Sequence, residues 1–498
     1  MSLDAKQSTV LPKSTPEISL GKALIPIIAL ILMLAFNVHI FGEDSLAGSN
    51  QFILLMGASV AAAVGFNLKI SYPDMMGEVA RNVSAVTEPI FILLMVGALA
   101  GTWMISGIIP TMIYYGMEIL NPTIFLAASL IICVIISLAT GSSWTTSATV
   151  GIALIGIAKA LGISTAVTAG AILSGAYFGD KMSPLSDTTN LAPAMAGTDL
   201  FTHIRYMTIT TVPTIIITLI IFIIIGLSID VSGATSPDAI LNAVEENFVV
   251  TPWLFVIPVL VILLIVKKTP PFIALIAGTL FGAVAALIFQ PEVVKEIAGA
   301  QNLDINSAYK GVLTAITTES GVSTGDESLN DLFSAGGMAG MLPTVWLILC
   351  AMVFGGVMEK IGALAKISEA LLNLFHTTFG LFASTVASCI TLNATASDQY
   401  LSLVVAGKMF SKAYKEKGLA PENLSRTLED SGTVTSVLFP WNTCGAYHSG
   451  VLGVSTGQYF LYAFFNYLSP FMTLLIAAVG FKIKKLTAPP KKELKKTV

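Results

Sequence analysis

The feature that most constrains the fold is a series of long apolar stretches separated by short polar ones. The runs 23–41, 206–229 and 272–290 contain no Asp, Glu, Lys or Arg. About 20 apolar residues are enough for a helix to cross the hydrocarbon core of a bilayer. Because lipid offers the backbone no hydrogen-bond partners, segments of this kind must satisfy their own backbone groups as helices. The sequence therefore predicts an all-α polytopic membrane protein.

The composition supports this class. Of the 498 residues, 54% are hydrophobic and 11% are charged, with a mean hydropathy of +0.82, which is too apolar for a soluble domain of this length. The formal net charge of −4 gives no reason to expect a nucleic-acid partner. The four cysteines have no metal-type spacing. We expect membrane lipid around the chain and no cofactor.

The basic residues predict the orientation, because cytoplasmic loops of membrane proteins collect Lys and Arg. A consistent topology leaves all but four of the 26 basic residues on the cytoplasmic side, the exceptions being Lys159, Lys181, Lys295 and Lys310. Both tails, 1–22 and 482–498, are then cytoplasmic, whereas the acidic segments 230–250 and 291–342 form outer loops. The predicted location is the cytoplasmic membrane of a prokaryote.

Two halves of the sequence, 23–229 and 251–481, resemble one another. QFILLMGASVAAAV, starting at Gln51, is similar to PFIALIAGTLFGAV, starting at Pro271, and EPIFILLMVGALAGTWM at Glu88 is similar to LPTVWLILCAMVFGGVM at Leu342. Each half is predicted to contain five crossings and one re-entrant hairpin, with polar hairpin tips at 141–147 and 393–400. Because five is odd, the second half is inverted relative to the first, an arrangement typical of transporters.

Charged residues between apolar segments mark the candidate site. The stretch 174–199 places Asp180, Lys181 and Asp187 between two such segments. An aspartate at the bilayer centre costs about 2.5 to 3.5 kcal/mol, so it usually marks an ion or substrate path. Pro184 predicts a break in the crossing 166–197. Carboxylates, hydroxyls and free carbonyls at such a break suit a small hard cation.

A family resemblance follows from this motif. SGAYFGDKMSPLSDTTNLAPAMAGTDLFTHI, residues 174–204, resembles the signature of the NhaC family of sodium/proton antiporters, and GSSWTTSATVG, residues 141–151, resembles a second family segment. The resemblance implies Na+ and H+ as transported ions. It also implies membership of the ion-transporter superfamily, whose members are usually homodimers that move by an elevator mechanism.

The same resemblance leaves the substrate open. Dicarboxylate carriers of the superfamily place Ser-Asn-Thr at both hairpin tips, whereas this chain has Ser143-Trp144-Thr145 and Ser397-Asp398-Gln399. A second acid at a tip would repel an anionic substrate. Some NhaC relatives nevertheless exchange malate for lactate, so a small organic acid remains an alternative partner.

The first half supplies most of the predicted cation and proton site. Asp187, deeper in the polar run, is the first candidate for the carboxylate shared by Na+ and H+, and Asp180 is the second. Lys181 is predicted to pair with one of these acids or to stand in for the cation when the site is empty. Asp398 is predicted to contact the ion, to cap the helix 399–413, or both. Further oxygens are expected from Ser143, Thr145, Ser183, Thr188, Thr189 and Asn190.

The second half is expected to contribute further site or gating residues. Glu429 and Asp430 are adjacent on a helix and cannot both face one site. Asn442 and Thr443 match Thr189 and Asn190 by repeat position. His203, beside Arg205, is expected to be solvated. The complete second-half set is Thr395, Ser397, Glu429, Asp430, Asn442, Thr443 and His448.

These features predict a secondary active antiporter that exchanges Na+ for H+ by alternating access. The nearest rival is a Na+/H+-coupled exchanger of small carboxylates. An intramembrane aspartyl protease is disfavoured, because the inverted repeat and the Ser/Thr-rich tips would have no role in a two-aspartate hydrolase. A channel is disfavoured because hairpins entering from opposite sides imply alternating access.

Overall fold

The computed structural model describes residues 18–41, 48–119, 121–229, 237–324, 330–373 and 377–486. The described part of the first half is helical, and its helix Thr165–Met182 stops before a short break. In chain order the helices are Leu20–Phe41, Ser49–Asn67, Tyr72–Ala85, Thr87–Ile105, Ile108–Ile119, Pro122–Thr140, Ser143–Thr146, a π-helical turn Ser147–Gly151, Ile152–Ala160, Thr165–Met182, Asp187–Ala196 and Leu200–Ser228.

The described part of the second half is also mostly helical. A small antiparallel pairing of Ser320–Gly321 with Ser334–Ala335 is inserted in it. The segment 230–250 between the halves contains the helix Pro237–Asn247. In chain order, the helices of the second half are Pro252–Phe255, Val256–Val266, Pro271–Phe289, Pro291–Ala298, Ile305–Thr317, Asp331–Phe333, Gly337–Gly340, Leu342–Lys360, Ala363–Asn373, Thr378–Thr395, Gln399–Glu416, Pro421–Leu428, a π-helical turn Glu429–Thr433, Ser436–Leu438, Thr443–Leu452, Thr456–Tyr459, the 3₁₀ turn Phe460–Tyr462 and Phe464–Val479.

Helix length and composition confirm a polytopic membrane protein. Among the described residues, seven helices are long and apolar enough to span a bilayer, or up to nine if each of two bent pairs counts as one span. The helix Leu200–Ser228 shows the matching surface pattern, with Ile216 and Ile224 exposed. Its buried face carries hydroxyls, since lipid provides no driving force to bury apolar groups. These are Thr210, Thr214 and Thr218.

Small residues bring the helices around the candidate site close together. A Cβ added to Gly179 would lie 2.2 Å from the Ser137 carbonyl carbon, so the helices Thr165–Met182 and Pro122–Thr140 approach more closely than a larger residue allows. Gly141 ends the second of these helices in the left-handed conformation, with φ at +73°. A Cβ there would lie 2.7 Å from the Leu185 backbone. The first tip therefore rests directly on the break in the neighbouring helix.

The structure contains two helix breaks, and the first is the one that Pro184 predicts. The first crossing stops at Met182 and resumes at Asp187. The second passes from an α-helix into the π-helical turn Glu429–Thr433, and a new helix starts at Thr443. Pro184 and Pro440 lie in the two gaps, where a missing backbone N–H leaves no hydrogen bond unsatisfied. The breaks leave backbone and side-chain oxygens available within the helical bundle.

The segment 291–342 differs from the prediction of a long outer loop. It contains the helices Pro291–Ala298 and Ile305–Thr317, and the second begins with a capping box between Asp304 and Ser307. This helix packs tightly on Thr87–Ile105, because the carbonyl oxygen of Ala315 would lie 1.9 Å from a Cβ added to Gly101. The acidic composition suggested a loop, but local caps and amphipathic spacing favour helices.

Candidate cation site

Two helix starts meet at the candidate site. At the first tip, the helix beginning at Ser143 is capped by the Ser142 hydroxyl, which accepts the Thr145 N–H at 3.2 Å. At the second tip, Asp398 caps the helix Gln399–Glu416 by accepting the N–H groups of Tyr400 at 2.8 Å and Leu401 at 3.1 Å. Both predicted tips are therefore turns between two helices. Their re-entrant course through the membrane stays a prediction.

Asp180 is one of two buried carboxylates that line this site, with 6% of its surface exposed against 8% for Asp398. The Ser143 hydroxyl on the first tip donates to Oδ2, and the Ser186 hydroxyl in the break donates to Oδ1 at 3.3 Å. Its backbone carbonyl accepts hydrogen bonds from Thr188 at 3.2 Å and Thr189 at 2.5 Å. The tip, the break and the following helix thus converge on one residue.

Asp187 occupies a different environment from the one expected. It is exposed at the first position of the helix Asp187–Ala196, where the helix dipole favours a negative charge. The sequence suggested that Asp187 lies deeper than Asp180, and the structure reverses this order. The reason is the break itself, because Ser183 bonds to the Leu138 carbonyl at 2.9 Å and Asn190 bonds to the Pro184 carbonyl at 3.0 Å. These bonds fix the start of the new helix, where Asp187 is exposed.

A cavity of about 470 Å³ joins the two tips and the first break. Both tips and both broken helices contribute to its wall. Oxygen-bearing side chains on that wall can provide ligands for a hard cation. They are Ser142, Thr145, Asp180, Ser186, Asp187, Thr188, Asp398 and Thr443. No group of three His, Cys, Asp or Glu side chains suited to a metal ion occurs among the described residues.

The second break is tied to the second tip. The Thr443 N–H donates to the Ser397 carbonyl at 2.9 Å, and its hydroxyl donates to Asp398 at 3.4 Å. Asn442 caps the helix Thr443–Leu452 through the Cys444 N–H at 3.0 Å. Counted from the helix starts, Asn442 and Thr443 therefore correspond to Ser186 and Asp187. The sequence comparison matched Asn442 and Thr443 to Thr189 and Asn190 by repeat position. The helix starts in the structure give a different match.

Comparison with known proteins decides the family. Residues 175–481 match the Na+/H+ antiporter family. The chain is also 38% identical over 426 residues to the Na+/H+ antiporter NhaC of Alkalihalophilus pseudofirmus, covering 86% of this chain and 89% of that protein. The chain belongs to the Na+/H+ antiporter family.

Two further proteins are similar to this antiporter-family chain, one in sequence and one in structure. It is 38% identical over 438 residues to the malate-2H+/Na+-lactate antiporter of Bacillus subtilis, covering 87% of this chain and 88% of that protein. Among solved structures, MtrF of Neisseria gonorrhoeae aligns over 94% of this chain and 96% of its own, at 12% identity and a TM-score of 0.36. That last likeness is too low to carry an argument.

Lys181 in this antiporter-family chain pairs with an acid of the other half. Its ammonium group forms a salt bridge with Asp430, and both side chains are fully buried. The prediction of a bridge to Asp180 or Asp187 is therefore wrong. Because Lys181 lies one residue after Asp180 on a helix, its side chain points away from the cavity. Its other contacts are the Ser469 hydroxyl at 3.3 Å and the Phe465 ring at 5.1 Å.

Asp430 is thereby assigned to a structural link rather than to the cavity wall. Its carboxylate also accepts the Thr473 hydroxyl at 2.5 Å and the Thr210 hydroxyl at 3.2 Å. The Arg426 Nε lies 4.0 Å away. A buried ion pair with this many donors keeps both charges solvated by protein. Glu429, its neighbour, points elsewhere, as two adjacent helical positions must.

The remaining predicted residues lie close to the site without lining the cavity. The Thr395 hydroxyl bonds back to the Thr391 carbonyl at 2.7 Å, and Ser397 adopts φ at +61° with a buried hydroxyl that has no partner. His448 is buried, and its Nδ1 lies 3.0 Å from the Ser147 hydroxyl. Its ring packs beside those of Trp144, Tyr177 and Tyr447.

His203 corrects one expectation, and two mouth residues were missed. The predicted solvated His203 is fully buried, with Nδ1 2.8 Å from the Ser425 hydroxyl, because the start of its helix packs against the second broken helix. Glu88 and Lys268 line the cavity but were not proposed from the sequence. The acid-proline pair at Glu88 and the doubled lysine before Pro270 are signals that could have indicated them.

Proposed function

We propose that this chain exchanges Na+ for H+ across the cytoplasmic membrane, with the Asp180 carboxylate as the site that the two ions share. The observation that carries the proposal is the position of this carboxylate. It is buried at the wall of the cavity and is held by hydroxyls from the first tip and the first break. Membership of the Na+/H+ antiporter family supports the same function.

The chemistry of the hydroxyl ligands suits such an exchange. Ser143 and Ser186 donate hydrogen bonds to the ionised carboxylate when no cation is present. A hydroxyl can also rotate and present its oxygen lone pairs, so the same two groups can become ligands when Na+ arrives. A proton on Asp180 neutralises the carboxylate and removes the charge that attracts Na+. Occupancy by one ion therefore excludes the other.

Alternating access is supported by two cavities that reach different turns of the helix Thr443–Leu452. The first is bordered by Glu88 and Lys268, which the distribution of basic residues assigns to the cytoplasmic side. A second cavity of about 330 Å³ is lined by Pro343, Ser449 and Gly450. Thr443, from the same helix as Ser449, lines the first. Access from the cytoplasm with both termini on that side is the state proposed here.

The inverted repeat is also a proposal, supported by reciprocal packing. Thr87–Ile105 packs against Pro271–Phe289, and Leu342–Lys360 packs against Ser49–Asn67. These are the segments that resemble one another in sequence, exchanged between the halves. A pseudo-twofold arrangement with the site where the halves meet would produce this pattern. An elevator motion and a homodimer are proposed from the superfamily resemblance.

A small organic acid is the alternative cargo. A volume of about 470 Å³ exceeds the need of one Na+ and falls within the range of small-molecule sites. Lys268 at the mouth offers a positive charge to an anion. The similarity to a malate-2H+/Na+-lactate antiporter points the same way.

Transport by the purified protein in liposomes separates the two functions. A pH-sensitive dye inside the vesicles reports proton movement when a Na+ gradient is imposed. We expect proton flux without any organic acid, and we expect the flux to be absent from matched vesicles containing Asp180→Asn. Flux that requires malate or lactate would favour the carboxylate exchanger. Equal flux in the wild-type protein and Asp180→Asn would remove Asp180 from the proposed site.

A further inference from the structure

A second carboxylate lies in the core without any role assigned above. Glu429 is fully buried at the start of the π-helical turn Glu429–Thr433, and neither carboxylate oxygen has a hydrogen-bond partner among the described residues. The Thr433 hydroxyl of the same turn is also buried without a partner. Single π-helical turns occur frequently at functional sites. A buried polar group left without partners is costly, so its retention requires an explanation.

The charges around Glu429 come from two helices. Asp180 and Lys181 of the helix Thr165–Met182 lie within electrostatic reach of it, as does the adjacent Asp430. The Cys389 thiol faces it from the helix Thr378–Thr395. Arg426 precedes it by one helical turn and is buried with its nitrogens unbonded. Lys181 pairs with Asp430, and the Arg426 guanidinium stacks on the Tyr206 ring 4.7 Å from its centroid, so neither cation forms an ion pair with Glu429 in the described part of the chain.

From this geometry we propose that Glu429 is a second proton-binding site of the transport cycle, separate from the cation site at Asp180. The inference rests on the proposed function and extends it to the number of protons exchanged. A buried carboxyl whose nearby donor is a single hydroxyl, that of Thr433, is more stable neutral than ionised, so Glu429 holds a proton while Asp180 is negatively charged. The ligand of this second site is the proton itself.

A bound cation at Glu429 is disfavoured by the available ligands. Hard cations require several oxygen ligands at once. Beside Glu429 on the same turn, the hydroxyl left without a hydrogen bond is that of Thr433, because the Ser431 hydroxyl donates to the Thr427 carbonyl at 2.5 Å. The Asp180 site, in contrast, offers hydroxyls from both the tip and the break. Na+ therefore belongs at Asp180, where it competes with a proton, whereas Glu429 binds a proton only.

Electrostatic coupling links the two sites. While Asp180 is ionised and empty, its negative charge opposes ionisation of Glu429. Na+ bound to Asp180 cancels that charge, so Glu429 can then release its proton. One Na+ thus displaces a proton from each carboxyl over the full cycle, two in all. Exchange of two protons for one Na+ moves net charge, and the membrane potential must affect its rate.

The decisive experiment measures whether exchange in liposomes moves charge. A potassium gradient with valinomycin imposes a membrane potential, and the dye reports Na+-driven proton flux. We expect the wild-type flux to depend on the potential, with about two protons exchanged per Na+, and we expect Glu429→Gln to exchange about one proton per Na+ without dependence on the potential. Glu429→Gln that keeps the wild-type ratio would overturn the proposal, as would a wild-type protein that exchanges one proton per Na+.

A matched control and a binding measurement protect this test. Glu359 is another carboxyl with a buried oxygen that lacks a partner, on the helix Leu342–Lys360, and Glu359→Gln should leave the ratio unchanged. If Glu429→Gln does not fold, the wild-type protein itself provides the test. Na+ added to the weakly buffered wild-type protein in detergent, at a series of pH values, must release more than one proton per Na+ bound. Release of one proton or fewer would exclude the second site. Absence of any Na+-driven flux in the wild-type protein would contradict the proposed function instead.

Discussion

The two tip-and-break modules share a plan but place their acids differently. In the first, Ser142 caps the tip helix and Ser143 donates to Asp180 on the broken helix. In the second, Asp398 caps the tip helix, and its neighbour Gln399 accepts from Ser436 at 3.4 Å. The buried acid that lines the cavity is therefore Asp180 on the broken helix in the first module and Asp398 on the tip in the second.

This difference determines what each carboxylate can do. Asp398 accepts one long hydrogen bond from the Thr443 hydroxyl at 3.4 Å, but its two shorter bonds come from backbone N–H groups, which are fixed and cannot turn to offer lone pairs to a cation. Asp180 is held by hydroxyls, which can. Under the proposed function, the second module uses its acid to anchor a helix start, whereas the first keeps its acid for an exchangeable ion. The same backbone plan supports both roles.

The largest effect should come from the link between the modules. Lys181→Met leaves Asp430 buried without its cation, and removing one partner of a buried ion pair costs about 3 to 5 kcal/mol. We expect a marked fall in the apparent melting temperature of the purified protein in detergent. Adding Asp430→Asn to Lys181→Met should restore much of the loss. A single variant as stable as the wild-type protein would show that the two modules do not depend on this pair.

The next effect concerns the exchangeable acid. Asp180→Asn removes the buried charge that contacts the ion in the proposed function, and we expect a cost of about 2 to 5 kcal/mol, or at least about 30-fold in Na+ affinity. Stabilisation of the melting temperature by added Na+ measures this affinity. Ser436 lies six residues before the helix cap Asn442, as Asp180 lies six residues before the helix cap Ser186. Ser436→Ala is therefore the control and should change Na+ affinity little. Equal losses in both variants would contradict the assigned difference between the modules.

A smaller effect should separate capping from ion binding at Asp398. Replacement of a capping Asp by Ala costs about 0.5 to 2 kcal/mol, whereas Asn is an equally good cap. We therefore expect Asp398→Ala to lower the melting temperature and Asp398→Asn to keep it. If Asp398→Asn keeps its stability but loses Na+-driven flux, the second module also binds the ion, and the comparison must be redrawn.

The smallest effect is expected at Asp187. Because Asp187 is exposed, its attraction for a cation is worth about 0 to 1 kcal/mol, so Asp187→Asn should weaken Na+ binding by less than about 10-fold. The same Na+-dependent melting measurement applies, repeated at high ionic strength, where the loss should shrink. A larger loss in Asp187→Asn than in Asp180→Asn would restore the order that the sequence suggested.

Local sequence signals predicted the framework of the site well. Pro184 indicated the first break, and the polar tips at 141–147 and 393–400 were recognised by their Ser and Thr content. The dual possibility for Asp398 included the capping role that the structure shows. Local signals failed where burial mattered. Asp180 and Asp187 looked alike in the sequence, and His203 beside Arg205 looked solvated.

The sequence by itself determined that this chain spans a membrane, where its helices break and which family it belongs to, because hydropathy, proline positions and motif residues act over a few turns of chain. Tertiary structure alone decided that Asp180 is buried while Asp187 is exposed, that Lys181 pairs with Asp430, and that Glu429 has no partner. Burial and ion pairing depend on which helices meet across the bundle. Those contacts join residues of the two halves, and no local spacing encodes them.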